Sequence, residues 1–353
     1  MFYNEVKVGW DQVFGEVKVS PKAPKLTKKV WSSNVKSPYV PDVKPNYVFR
    51  FTTGIRKLVS YLETGAGQKP WIFGPHGSGK TSLPNQLAAL LGMEIRSEYV
   101  SENTEALDLL GQWMPNEAGG LKYEEGLVVQ AMRTGQWVII NEFDLMEARE
   151  QKRLNELFEE NSVTLPSGER VKAASGFRLM VTANTNGTGD MTGNYSNVSA
   201  GDSSVGDRFF FVELDYISRD EEKTLLTKQS DLILQGYCND AADYKKYLGI
   251  VDKFINEPIL NFASDTRLSH NKARMGDDSG LPAAISTRSV LEWQRQAVDD
   301  LFWIDSSNEL IKEVENCMIS SLEHSFIMGQ RPDLQQTLIQ MFNDRSGGIY
   351  KLF

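Results

Sequence analysis

The sequence predicts an α/β protein, a parallel sheet flanked by helices, followed by a mostly helical domain. Three observations predict it. Residues 74–82 read Gly-Pro-His-Gly-Ser-Gly-Lys-Thr-Ser and lie between the apolar run Trp71-Ile72-Phe73 and a helical run over 81–91. Short apolar runs then alternate with helical patterns as far as residue 214, which is how parallel strands with helices on both faces are encoded. Beyond Asp215 only long helical patterns remain.

The bulk properties bound the rest. A chain of 353 residues is long enough for two domains. No apolar run approaches a membrane span, and the first ten residues hold no signal-like apolar stretch. The two cysteines, Cys238 and Cys317, lack metal-ligand spacing, and His76, His270 and His324 are scattered. These point to reduced thiols, a cytoplasmic setting and no histidine-based metal site. The net charge of −9 is uneven: residues 1–60 hold eleven Lys and Arg against four Asp and Glu. That basic stretch, Pro-rich with isolated aromatics, is expected over 1–50 as an extended arm lying on an acidic neighbour. Nucleic acid is the less favoured partner, because the body of the chain is acidic.

Taken in order, a helix begins near Ile55 with Leu58, Tyr61 and Leu62 on one face. The phosphate-loop unit follows, then a strand over 94–99 and a short helix over 107–111. Residues 112–126 hold Pro115, Gly119 and Gly120 between Trp113 and Tyr123, a hairpin that interrupts a helix resuming at 127–133. Residues 137–140 form a buried strand and 150–160 an amphipathic helix. Pro166-Ser167-Gly168 turns a second hairpin over 162–173. Strands follow at 178–183 and 209–214, and long helices at 219–228, 242–255, 287–300 and 307–328. Residues 266–281, polar and Gly-containing, are expected as a surface insertion. The expected division is an arm at 1–50, an α/β core at 51–214 and a helical domain at 215–353.

The chemistry concentrates at strand ends. Gly74, Pro75, His76, Gly77, Ser78, Gly79, Lys80, Thr81 and Ser82 match G-x-x-x-x-G-K-[ST] between a strand and a helix, where backbone N–H groups cradle phosphates. Lys80 reaches the β- and γ-phosphates of ATP, and Thr81 offers its hydroxyl to Mg²⁺. Val138-Ile139-Ile140-Asn141-Glu142 places two polar residues at the carboxyl end of the next buried strand. Glu142 is the candidate to activate water. Asn141 stands where an Asp would orient the Mg²⁺ shell and brings no negative charge, so slow hydrolysis is expected. Asp144 is either a partial substitute for that charge or an N-cap. Asn184 ends a third strand beside the γ-phosphate. Arg208 is a surface residue or an arginine finger, and Arg288 opens a helix behind the cap Ser286 or Thr287.

This order of motifs resembles the AAA+ ATPases, and within them the MoxR and dynein-related branch, most of all the CobS subunit of aerobic cobaltochelatase. Val40-Pro41-Asp42 with Tyr47-Val48-Phe49 is similar to that family's lead-in, and Thr182-Ala183-Asn184-Thr185-Asn186-Gly187-Thr188-Gly189-Asp190-Met191-Thr192-Gly193 to its sensor-1 segment. The resemblance implies a five-stranded AAA+ core with a helix-2 insert and a pre-sensor hairpin, a helical lid, and a homo-hexameric ring with nucleotide between subunits. It implies Lys80 and Thr81 on phosphate and Mg²⁺, Glu142 as catalyst, Asn184 as sensor 1, Arg208 as a finger acting in trans and Arg288 as sensor 2, while Asn141, read here as the second Mg²⁺-site residue, departs from the family's Asp. Tyr123 and Lys172 become candidate pore contacts. A separate partner carrying a von Willebrand A domain is implied as well, since no Asp-x-Ser-x-Ser occurs here. Met146-Glu147 departs from the Gly-Arg pair of CobS itself. The expected function is therefore an ATP-driven ring that remodels a partner. The alternatives are a cobaltochelatase ATPase subunit, a DNA-directed motor and an ATP-binding scaffold that does not hydrolyse.

Overall fold

The structure, a computed structural model, describes residues 3–15, 20, 22–32, 36–117, 119–187, 203–274, 277, 279–303 and 310–350. The chain forms two compact units. The first holds residues 1–44, 49–75 and 79–215, and the second holds 45–48, 76–78 and 216–353.

The first unit opens with β1 (Tyr3–Val8), α1 (Trp10–Phe14) and β2 (Leu26–Trp31), the two strands pairing antiparallel. This region is not the extended arm its Pro and Lys content suggests. Trp10, Val13 and Leu26 are buried in one cluster with Ile55, Leu58, Leu62, Leu87 and Leu91. The indole of Trp10 donates to the Pro24 carbonyl at 2.9 Å, and that of Trp31 to Gly92 at 2.7 Å. Burying one leucine side chain contributes roughly 1.5–3 kcal/mol, enough for a few anchors to hold a polar segment down. Of the basic residues, Lys18 lies outside the described residues.

Next come α2 (Thr53–Thr64), β3 (Lys69–Phe73), α3 (Ser82–Leu91), β4 (Ile95–Tyr99) and α4 (Ala106–Leu110). The first hairpin is β5 (Gly111–Pro115) with β6 (Leu121–Glu125). After α5 (Leu127–Thr134) and β7 (Trp137–Asn141), α6 (Ala148–Arg153) and α7 (Asn155–Glu160) stand where one helix was expected. The break falls at Leu154, whose backbone leaves the helical region (φ −90°, ψ 4°) while its side chain, with Leu157 and Phe158, enters the core. The second hairpin is β8 (Ser162–Thr164) with β9 (Arg170–Lys172), followed by β10 (Arg178–Ala183), α8 (Ser203–Gly206) and β11 (Phe209–Glu213).

Five of these strands form one parallel sheet in the order β11-β3-β10-β7-β4. Each residue of β7 is buried, as are the last five of β10, the continuous apolar pattern of strands covered on both faces. β4, at the edge, alternates instead and leaves Tyr99 exposed. The topology thus sets the carboxyl ends of β3, β10 and β7 side by side, the crevice where ligands bind in such sheets.

The second unit contains α9 (Arg219–Tyr237), α10 (Ala241–Val251), a π-helical turn at Asp252–Asn256, α11 (Glu257–Arg274), α12 (Thr287–Trp303), α13 (Leu310–Ser325) and α14 (Pro332–Tyr350). Trp293 is fully buried at its centre, edge-on to Phe262 and Phe342. The expected surface insertion is corrected here: residues 266–274 complete α11. The polar side chains at the start of that segment are satisfied inside the fold. Thr266 is buried and donates to the Ala263 carbonyl, and Arg267 makes a two-pronged ion pair with buried Glu222 at 2.8 Å. The returning loop lies so close to α11 that a Cβ on Gly280 would sit 2.2 Å from the Ala273 amide nitrogen.

Candidate nucleotide site

The loop after β3 has the conformation its glycines permit. Gly74, Gly77 and Gly79 all take positive φ, and at Gly79 (φ +96°) a Cβ would meet nothing within 4 Å. This open, left-handed backbone ahead of α3 suits the close approach of a phosphate. The ammonium of Lys80 donates to the carbonyls of Gly74 and Pro75 at 2.8 and 3.0 Å and to Asn184 Oδ1 at 2.9 Å.

Asn184 directly follows β10 and faces two partners at once. Its Nδ2 donates to Glu142 Oε2 at 3.0 Å. Lys80 can only donate and a carboxylate can only accept, so the two contacts fix which way the amide points. A continuous path therefore runs from Lys80, in the loop after β3, through Asn184 to Glu142, each of the last two lying one residue past the end of its strand. Glu142 itself adopts a left-handed backbone (φ 61°, ψ 33°), one of two non-glycine residues to do so among those described. Such a conformation is costly away from glycine and turns the side chain out of the alternation of β7.

Asn141 is buried at the tip of β7. Its Oδ1 accepts from the hydroxyls of Thr81 at 2.8 Å and Thr182 at 3.0 Å, while its Nδ2 donates to the Glu98 carbonyl at 3.2 Å. The donor contact requires an amide: a carboxylate would face the carbonyl with a second acceptor. Thr81 and Asn141 together present neutral oxygen donors beside the Glu142 carboxylate, a set that fits Mg²⁺, which keeps several waters and takes few protein ligands. No group of three or more His, Cys, Asp or Glu side chains suited to a metal exists among the described residues.

Asp144 neither supplements that oxygen set nor caps the helix that follows. It sits in a single 3₁₀ turn, Phe143–Leu145, and its Oδ2 accepts from the backbone amides of Asn184 and Thr185 and from the Thr185 hydroxyl. Burial raises its carboxyl above the usual range, and these hydrogen bonds oppose the shift. Thr182 was overlooked as a site residue. The signal was there, because two residues before Asn184 on a strand is the same side of the sheet.

Arg208 lies away from this path in the first unit. Its guanidinium pairs with Glu159 on α7 and donates to the Ser204 carbonyl, with Nε buried and without a hydrogen-bond partner among the described residues. Residues 76–78 cluster with the second unit, where the Tyr216 hydroxyl donates to the His76 carbonyl at 3.3 Å. A Cβ on Gly77 would lie 2.5 Å from Ser286 Cβ and 3.7 Å from Arg288 Cβ, so Arg288 stands beside residues 76–78. Ser286 is the cap of α12, its hydroxyl accepting from the Ser289 amide at 3.1 Å. The segment from Thr188 to Gly193 lies outside the described residues.

A parallel sheet in this order, with a phosphate loop, a polar pair and an asparagine at adjacent strand tips, defines an α/β phosphate-loop fold. Residues 71–201 match the AAA domain of the dynein-related subfamily. The chain is 30% identical to midasin of Dictyostelium discoideum over 161 residues, 45% of this chain and 3% of midasin. It therefore spans a small fraction of that relative's length. Over 265 residues it is 27% identical to the aerobic cobaltochelatase subunit CobS of a Sinorhizobium species, covering 73% of each. Among solved structures, NtrX of Brucella abortus in complex with ADP aligns with a TM-score of 0.47 at 11% identity, over 84% of this chain and 62% of that one. No helix among the described residues is long and apolar enough to cross a membrane.

Proposed function

We propose that this chain binds ATP with Mg²⁺ and hydrolyses it slowly, as one subunit of a homo-hexameric ring that remodels a partner protein or complex in the cytoplasm. The observation that carries the reading is the path Lys80–Asn184–Glu142, which spaces an ammonium, an amide and a carboxylate at the mouth of an open phosphate loop. In this reading the backbone of residues 74–82 and Lys80 bind the phosphates, and Thr81 and Asn141 hold the cation. Bound Mg²⁺ would supply charge neutralisation at the phosphate oxygens. Glu142 takes a proton from water, and Asn184 keeps that carboxylate in line with Lys80. Arg208 serves a neighbouring subunit's nucleotide, and Arg288 faces phosphate from α12. The partner is a separate chain with a von Willebrand A domain.

A second reading, a scaffold that binds ATP without hydrolysing it, is favoured by one feature: Asn141 is neutral and both ends of its amide are engaged within the protein. Two variants separate the readings. Lys80→Ala abolishes binding of a fluorescent ATP analogue without loss of fold, and Glu142→Gln binds ATP but ends phosphate release. Unchanged ATP affinity in Lys80→Ala refutes the phosphate-loop assignment. Wild-type turnover no greater than that of Glu142→Gln makes the scaffold the better account.

A further inference from the structure

We infer that Asp144 is the positioning residue of this site: it sets the place of Asn184, and through it the alignment of Glu142 with Lys80. The inference rests on the nucleotide-binding reading above and extends it to a residue with no phosphate or metal contact of its own.

Three donors converge on a single Asp144 oxygen, the amides of Asn184 and Thr185 at 3.0 and 2.9 Å and the Thr185 hydroxyl at 3.0 Å. The residue is 5% exposed, and its other oxygen is buried without a hydrogen-bond partner among the described residues. An ionised acceptor makes such bonds shorter and stronger than a neutral one does. Both sides of the junction are braced. On one, Gln151 Nε2 donates to the Phe143 and Met146 carbonyls at 3.1 and 2.8 Å, holding the turn that carries Asp144. On the other, the Trp71 indole donates to the Thr185 carbonyl at 2.9 Å.

The consequence for Asn184 is geometric. With its backbone pinned by Asp144, its short side chain keeps only its two torsions, and both ends of its amide are used on Lys80 and Glu142. Asp144 and Glu142 leave β7 two residues apart, whereas Asn184 arrives on β10. Without Asp144 the tips of these strands keep the ladder below them, the Asn141–Thr182 contact and the single Asn184–Glu142 bond whose geometry is at issue. A loss of alignment of about 1 Å in a catalytic constellation costs on the order of 10²-fold in rate.

The test uses the full chain and four variants, Asp144→Ala, Asp144→Asn, Thr185→Val and Asn184→Ala, with steady-state kinetics and titrations of ADP and of a non-hydrolysable ATP analogue. Asp144→Ala lowers kcat on the order of 10²-fold while the ADP dissociation constant stays within about threefold of wild type. It also loses the preference for the ATP analogue over ADP to the same extent as Asn184→Ala. Asp144→Asn, which keeps the shape and one acceptor oxygen, recovers part of both losses. Thr185→Val, which removes one of the three donors and leaves the carboxylate, shows a smaller loss in the same direction and keeps the test alive if Asp144→Ala fails to fold. A merely structural role would lower the melting temperature and weaken ADP binding and turnover together. Wild-type kcat and analogue preference in Asp144→Ala, or equal losses of ADP binding and kcat, overturn the inference. If wild type hydrolyses nothing, the analogue preference alone decides it. If wild type binds no nucleotide, the phosphate-loop reading falls and this inference falls with it.

Discussion

Replacing Asn141 by Asp, the residue a fully charged magnesium site would carry, destabilises the protein when no cation is present. The amide now donates to the Glu98 carbonyl at 3.2 Å and accepts from Thr81 and Thr182, at a position 1% exposed. Aspartate keeps the two acceptor contacts and loses the donor. The lost hydrogen bond costs about 1 kcal/mol, and an acceptor held unpaired against the carbonyl adds about 1–3 kcal/mol. At roughly 2–4 °C per kcal/mol for a cooperative unit of this size, the melting temperature of Asn141→Asp falls by about 5–15 °C in EDTA. Mg²⁺ with an ATP analogue narrows the gap, because the cation engages the carboxylate and stabilises only the folded state. The assay is differential scanning fluorimetry of both proteins, with EDTA and with Mg²⁺ plus analogue. An aspartate variant that melts at or above wild type in EDTA refutes the reasoning and removes the Glu98 contact as the reason an amide stands here.

Three further outcomes are expected. Lys69 is 1% exposed at the start of β3, and burial, reinforced by the nearby Arg178 charge, pushes its ammonium down to about 8. The unfolded chain then binds more protons between pH 8 and 10.5, so stability rises with pH across that window. Lys69→Met flattens this rise and raises stability at neutral pH, as urea titrations at about pH 7 and 9.5 would register. Arg267→Met strands buried Glu222 and costs about 3–5 kcal/mol in the helical unit, and adding Glu222→Gln restores most of it; equal melting of the single and double variants contradicts this. Arg208→Ala binds ATP but loses on the order of 10³-fold in turnover, and mixing it with Glu142→Gln protein restores activity if the arginine acts across an interface. No recovery in subunits shown to exchange places it in cis.

Much of the architecture was legible because the central strands are buried on both faces. Runs such as Val138-Ile139-Ile140 and Leu179-Met180-Val181 leave little alternative to a parallel sheet, and glycine and proline mark both hairpins. The phosphate loop and the position of Glu142 follow from spacing alone. What escaped depends on partners distant in sequence. Nothing local says that Asp144 bonds to residues 184 and 185, or that the Glu98 carbonyl demands an amide at position 141. The N-terminal segment was misread because composition registers its lysines and prolines, whereas Trp10 and Leu26 decide where it goes. α14 was missed as well; Gly347 and Gly348 near its end weaken the helical signal.

The strand order has a bearing on how the protein is made. β3, which leads into the phosphate loop, lies between β11 and β10, and both come later in the chain. At ordinary elongation rates of about 5–20 residues per second, β3 waits several seconds or longer after leaving the ribosome before either neighbour exists. During that interval Trp71, Ile72 and Phe73 have no ladder to join, and the loop beyond them has no Asn184 to engage. Nascent chains stalled before β10 should therefore bind holdase chaperones at β3, and nucleotide can aid folding only once residue 184 has emerged.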